Sequence, residues 1–160
     1  MLKLNLKQLP EWEAYSFLEA EEGEEWKDNQ LLEAGKILYN QWREVFQMVM
    51  ALIDTLPGNE EDQCLSTRQM ILENIHMIAP KILSASANTI YMVKMENAAL
   101  IRYNCRQMME QIDFAVISGE VDISYRSDID DMLELFKVYF QDWVNLFRKD
   151  EFEDDWNLFN

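Results

Sequence analysis

The chain has 160 residues, of which 49% are hydrophobic, and it carries a net charge of −16. This length fits one domain with a substantial core, and this hydrophobic content excludes an intrinsically disordered chain. With only 4 glycines and 3 prolines there are few turns, and Leu, Met, Glu, Gln, Ala and Lys dominate. Few turns require long elements, and these residues favour helices, so we predict an all-α protein.

The negative charge is concentrated at the two ends of the chain. Residues 1–28 and 150–160 each carry a net charge of −5, and residues 29–149 carry the remaining −6. Such a field repels phosphate backbones, which argues against direct nucleic-acid binding and favours a basic protein partner. No apolar run is long enough for a membrane span, and the N-terminus lacks the features of a secretory signal. We therefore expect a cytoplasmic protein that does not contact membranes. Its two cysteines are expected to be small buried hydrophobic residues, which suits a reducing compartment.

Residues 1–27 are predicted to form an acidic, aromatic arm. Pro10 ends a short alternation of leucines, and an acidic stretch containing Trp12, Tyr15 and Phe17 follows. These aromatic side chains are expected to dock on the helical body through a short helix.

The helical body is predicted over residues 28–149, where apolar residues recur at three- and four-residue steps. The first helix, 28–56, starts at Asp28 as N-cap and stops before the turn at Pro57. The second helix, 60–84, follows Asn59 as N-cap. Pro80 is expected to kink this helix, because the apolar pattern continues beyond it.

The third helix is predicted over 89–118, after a connection at 84–88, with Gly119 ending it as a C′ glycine. The fourth helix, 127–149, is expected to start at Ser127, and the acidic tail is 150–160. The simplest arrangement is an antiparallel, up-down-up-down four-helix bundle.

Glu73 and His76 form the only motif that suggests metal chemistry. Glu and His at i and i+3 point into the core of di-iron carboxylate bundles, but that chemistry needs two such motifs. The chain has a single histidine, so a second motif is excluded. Glu73 and His76 therefore remain a weak metal candidate, and we predict no metal, no cofactor and no catalytic residues.

Two arginines on the third helix are expected to have a structural role. Arg102 and Arg106 lie one turn apart, with several acidic residues on the same helix. We expect both arginines to pair with carboxylates on their own or neighbouring helices.

The tail, EFEDDWNLF, resembles short acidic-aromatic peptides that dock into apolar grooves with basic rims. Alternatively, its apolar residues pack back on the bundle while its acids face water. The fourth helix is apolar on more than one side, which indicates a second buried contact, with the arm or with another subunit. Aromatic side chains make good interface anchors. The predicted interaction residues are Trp12, Trp26, Tyr139, Trp143, Trp156 and Phe159.

The order of these features resembles a known family. The first helix ends at Leu56-Pro57, the second runs from Gln69 past Pro80, and the third ends in QIDFAVISG. From about residue 31 to residue 149 this layout resembles the intervening-sequence proteins encoded within bacterial large-ribosomal-RNA genes, and the accessory variability protein of diversity-generating retroelements. The resemblance implies a four-helix bundle, often pentameric, whose retroelement member binds reverse transcriptase and RNA. The acidic charge here departs from that family's basic character.

Three functions follow as hypotheses. The first is a non-enzymatic helical scaffold that self-associates or binds a protein partner. The second is an acidic inhibitor that mimics nucleic acid and occupies the basic groove of a DNA- or RNA-handling enzyme. The third is an accessory subunit of a nucleic-acid enzyme.

Overall fold

The computed structural model describes residues 7–18, 29–56 and 66–158. These residues contain four α-helices and no strand, which confirms the all-α prediction and is consistent with a four-helix bundle. The helices are α1 (Asn29–Thr55), α2 (Thr67–Ala87), α3 (Tyr91–Ile117) and α4 (Ile123–Asn145). Two 3₁₀ turns, Trp12–Ala14 and Ser16–Leu18, precede them.

α1 is the central packing element. Its buried residues recur at steps of three and four and form a broad apolar face. This face is wide enough to contact two neighbouring helices. α1 packs against both α4 and α2, and α2 packs most extensively against α3. α3 and α4 make far fewer contacts with each other than the other neighbouring pairs make. The core is therefore closed on three sides, and the α3–α4 side is loosely packed.

The start of α2 differs from the prediction. Asn59, the predicted N-cap, lies outside the described residues, and the helix begins at Thr67. Ser66 is the N-cap: its hydroxyl accepts the Gln69 N–H at 3.3 Å, and the Gln69 side chain accepts the Ser66 N–H at 3.3 Å. This reciprocal pair satisfies two backbone donors at once and fixes the helix start.

The end of α2 also differs from the prediction. The helix continues through Pro80, whose ring is exposed, and runs to Ala87 rather than ending at 84. Ala85 and Ser86 are buried against the body, which holds this last turn in helical form. The connection to α3 is therefore shorter than predicted. In it, the Asn88 side chain accepts the Ile90 N–H at 2.8 Å.

A short turn joins α3 to α4. Gly119 has a φ of +77°, and the Glu120 N–H bonds to the Ala115 carbonyl, as in a Schellman motif. The predicted C′ glycine is therefore confirmed. The predicted start of α4 at Ser127 is wrong, because the Asp122 carboxylate accepts the Ser124 N–H at 2.8 Å and starts the helix earlier. α4 also ends earlier than predicted, at Asn145.

We expect Gly119→Ala to lower the free energy of unfolding by about 1 kcal/mol, because an L side chain is strained at this positive φ. No atom lies within 4 Å of a Cβ built at this position, so backbone strain is the only cost. Chemical denaturation measures the change. Gly119→Asn is the control and should cost less, since Asn tolerates this conformation. Equal losses for Ala and Asn would contradict this explanation.

Candidate functional site

Four aromatic rings form a continuous ladder along α4. Phe136, Phe140, Trp143 and Phe147 contact one another in sequence, with ring centroids 6.3, 6.0 and 4.8 Å apart. Trp42 of α1 packs edge-on against Phe136 at 5.5 Å, which attaches the ladder to α1. Such aromatic pairs add stability beyond their buried area. The ladder therefore holds α4 on α1.

α3 and α4 are connected at both ends. Near the turn, Arg126 Nε lies 2.8 Å from Asp113 on α3 and also pairs with Asp130. At the opposite end, the Asp150 carboxylate accepts the Tyr91 N–H at 2.8 Å. At this same end Lys94 Nζ lies 5.5 Å from the Phe147 ring centroid, a cation–π contact.

Between these two connections the helices separate and leave a groove of about 330 Å³, which we call the α3–α4 groove. Its size lies at the lower end of the range of ligand clefts. Its floor is apolar and is formed by Ile101, Cys105, Met109, Leu133, Phe136 and Phe140. Its rim is charged and is formed by Arg102, Arg106, Glu110, Asp113, Arg126, Asp130 and Lys137.

The charges of the rim are only partly paired. Arg126 is held by its two carboxylates, and Lys137 pairs with Glu134 on its own helix. Arg102 and Arg106 are exposed and make no ion pair or hydrogen bond in the part of the chain that the structure describes. Their predicted pairing with nearby acids is therefore wrong. Among the described residues, the groove therefore presents two guanidinium groups without an ion pair, on a strongly acidic protein.

Burial disfavours the thiolate form of the cysteine in the groove floor. Burial raises the pKa of the Cys105 thiol to about 12, so the thiol stays protonated at neutral pH. The thiolate is the reactive form of cysteine, and burial in apolar surroundings makes a thiol inert. Cys105 therefore contributes an apolar surface to the floor.

Two of the predicted interaction residues are buried inside the chain. Trp143 is fully buried within the ladder, and Trp12 is 8% exposed, with its ring centroid 5.7 Å from that of Tyr39. The Tyr39 hydroxyl donates to the Pro10 carbonyl at 2.7 Å, which fixes the arm residues on α1. The predicted docking of the arm through Trp12 is thus observed. Trp12 and Trp143 are not accessible to a partner, which corrects their assignment as interaction residues.

The other predicted interaction residues have different environments. Tyr139 is half-buried against the core, whereas Trp156 is 86% exposed. Trp26 and Phe159 lie outside the described residues.

Glu73 and His76 are both exposed on α2. His76 Nδ1 lies 2.6 Å from the Leu72 carbonyl, and the imidazole packs edge-on against Phe46 of α1 at 5.7 Å. Within residues 7–18, 29–56 and 66–158, no three His, Cys, Asp or Glu side chains are grouped closely enough to hold a metal ion. These contacts give His76 a packing role between α1 and α2.

Comparison of the chain with protein-family models, with curated proteins and with solved structures found no match. Among the described helices, none has the length and apolar character that crossing a membrane requires.

We expect replacement of Asp150 by Ala to lower the midpoint of thermal unfolding at pH 7, because the carboxylate caps α3. Hydrogen bonding to the Tyr91 N–H lowers the pKa of Asp150, so its stabilisation is present above the unfolded-state pKa. That stabilisation is lost as pH falls through the folded-state pKa. The difference between wild type and variant should therefore shrink below about pH 4. Calorimetry from pH 7 to pH 3 measures this difference in unfolding midpoint. Glu151→Gln, which removes a neighbouring carboxylate, is the control. A difference that does not change with pH would contradict a charged cap.

Two tryptophans of similar sequence context should respond differently to substitution. Trp12→Ala should lower the free energy of unfolding by about 3 kcal/mol, because it leaves a cavity beside Tyr39. Trp156→Ala should change it by about 0.5 kcal/mol or less, since its side chain is exposed. Urea denaturation of both variants measures the difference. If the two losses were equal, the arm would not be packed as described.

Proposed function

We propose that this protein is a non-enzymatic binding protein that holds a segment of a protein partner in the α3–α4 groove. The observation that carries this proposal is the combination of an apolar floor with two unpaired arginines, Arg102 and Arg106, on a chain of charge −16. The chain has 14 basic and 30 acidic residues, yet two of its arginines lie at the edge of one apolar cleft without an ion pair to the described residues.

The shape of the groove supports an elongated occupant. Its lining on α3 runs from Ile101 to Asp113, a distance of about 18 Å at the helical rise. A helix of about 12 residues or a shorter extended segment spans this length. Apolar side chains of the occupant would lie on the floor, where burial stabilises them. Carboxylates would meet Arg102 and Arg106, whose planar guanidinium groups accommodate them in bidentate fashion.

The charges that line the groove affect a bound segment more strongly than the net charge of the whole chain does. The net charge alone favours a basic partner, but charges beyond about 8 Å are screened at physiological ionic strength. An occupant of the groove meets the two arginines at contact distance, and these favour an acidic segment. We therefore propose an acidic, amphipathic segment as the ligand.

The chemistry of the groove supports a role without catalysis. Cys105 stays protonated, and Arg126 is held by Asp113 and Asp130. The one histidine, His76, is on α2 and does not line the groove. A nucleophile needs an adjacent base, and the groove lining brings no such pair together.

The up-down-up-down topology is also part of this proposal. The bond from Asp150 to Tyr91 places the region after α4 beside the start of α3, while a short turn joins their other ends. This supports antiparallel α3 and α4. The four helices are in line with the layout of the intervening-sequence proteins, and we propose that resemblance for the fold alone. The protonated thiol of Cys105 suits the reducing cytoplasm, which we propose as the location.

A second candidate function is an acidic inhibitor that mimics nucleic acid. α4 carries a row of exposed carboxylates on the side away from the core, at Asp128, Asp131 and Asp142. A basic groove of a DNA- or RNA-handling enzyme would bind such a row. Neutralising the row by Asp128→Asn, Asp131→Asn and Asp142→Asn abolishes partner binding under this alternative and leaves binding to the groove intact.

The main proposal is tested with a labelled helical peptide that has Leu and Phe on one face and Glu elsewhere. A matched peptide replaces each Glu by Lys. We expect the acidic peptide to bind at least about 10-fold more tightly, a difference of about 1.4 kcal/mol, as measured by fluorescence anisotropy. The double variant Arg102→Glu/Arg106→Glu should lose this preference, because its groove repels carboxylates.

The control for this experiment changes charge by the same amount elsewhere. Arg68→Glu/Lys81→Glu alters two cations of α2 that do not line the groove. This control should bind the acidic peptide as the wild type does. Equal binding of both peptides, or loss of binding in the control alone, would show that the groove is not the site.

A further inference from the structure

The chain itself carries a segment with the chemistry that the groove favours. In residues 150–158, which we call the tail segment, the side chains of Phe152, Trp156 and Leu158 are 57%, 86% and 73% exposed. The neighbouring acidic residues Glu151, Glu153 and Asp155 are also exposed. These three apolar side chains do not pack back on the bundle, so that alternative prediction is wrong for them.

The tail segment is organised by its own hydrogen bonds. The buried carboxylate of Asp154 accepts the Trp156 N–H at 3.0 Å and the Leu158 N–H at 2.6 Å. The Asp150 carboxylate accepts the Phe152 N–H at 3.1 Å. Restricting the segment in this way lowers the entropy cost of docking its exposed side chains. Trp156 and Leu158 are thus presented together, with acidic residues beside them.

The tail segment does not occupy the groove of its own chain. None of its residues lines the α3–α4 groove, and its start is attached at Tyr91, where α3 begins. The uncompensated arginines lie further along α3, about 16 to 22 Å from Tyr91 at the helical rise. An exposed Trp beside carboxylates and an open apolar groove beside arginines are therefore separate surfaces of one molecule.

We propose that the tail segment of one copy docks in the α3–α4 groove of a second copy. This inference rests on the proposed function and names its ligand. Trp156 and Leu158 would contact the apolar floor, and Glu153 and Asp155 would pair with Arg102 and Arg106. Each copy has one tail segment and one groove, so two copies related by a two-fold axis exchange both contacts and form a closed dimer.

Reciprocal exchange strengthens a contact that is weak by itself. Once one tail segment is bound, the second binds within the same complex at a high effective concentration. The repulsion between two chains of charge −16 opposes association when it is not screened. The dimer should therefore be more stable at about 0.15 M salt than at about 0.01 M, where the screening length is about 30 Å.

The test uses the full chain and measures its mass in solution by sedimentation over a range of protein concentrations. The wild type should be dimeric at about 0.15 M salt. Arg102→Glu/Arg106→Glu and the tail variant Glu151→Lys/Glu153→Lys/Asp155→Lys should each weaken the dimer at least 10-fold. Mixing the two variants should restore a dimer, because each supplies the charge that the other lacks. Arg68→Glu/Lys81→Glu is the matched control and should stay dimeric.

Trp156→Ala tests the apolar part of the contact and should also weaken the dimer at least 10-fold. Circular dichroism and thermal unfolding verify that each variant retains its helices. A wild type that stays monomeric while the acidic helical peptide binds would overturn this inference and leave the proposed function intact. A dimer that survives charge reversal in both surfaces would equally overturn it. Failure of the peptide to bind would remove the proposed function itself.

Discussion

The aromatic ladder of α4 determines how the rest of the molecule is arranged. Phe136 packs on Trp42 of α1, and Phe147 lies under Lys94 of α3, so one row of rings contacts different helices at its two ends. In its middle, Trp143 is fully buried, whereas Phe140 lines the α3–α4 groove. Phe136 and Phe140 therefore belong both to the core and to the groove floor.

The charge around the groove differs from the net charge of the chain. A value of −16 describes the field far from the protein, where salt screens it. At the groove, Arg102 and Arg106 make no ion pair within the described residues, whereas Arg126 makes two. A ligand that supplies carboxylates there replaces water around both arginines at once. The preference that we propose for an acidic segment therefore rests on the charges around the groove and not on the overall composition.

Features that depend on local chemistry were predictable from the sequence, and features that depend on packing were not. The helical class, the Gly119 stop and the docking of Trp12 follow from composition, turn residues and aromatic placement. The starts of α2 and α4 were misplaced because Asn59 and Ser127 are reasonable caps, and the better caps at Ser66 and Asp122 show only through their hydrogen bonds. The groove left no signal of its own. Arg102 and Arg106 stand near acidic residues in sequence, and the sequence does not show that they make no ion pair within the described residues.

The pairing of α1 with α4 has a consequence for how the chain folds. The bond from the Gln41 side chain to the Met132 carbonyl joins residues 91 positions apart, and Trp42 meets Phe136 across a similar span. Contacts this distant along the chain form late, because closing a long loop costs entropy before any packing offsets it. Ribosomes synthesise about 5 to 20 residues per second, so α4 is synthesised about 5 to 20 seconds after Trp42. During that interval α2 and α3 can already pair. The apolar face of α1 is therefore the surface that a chaperone would need to protect.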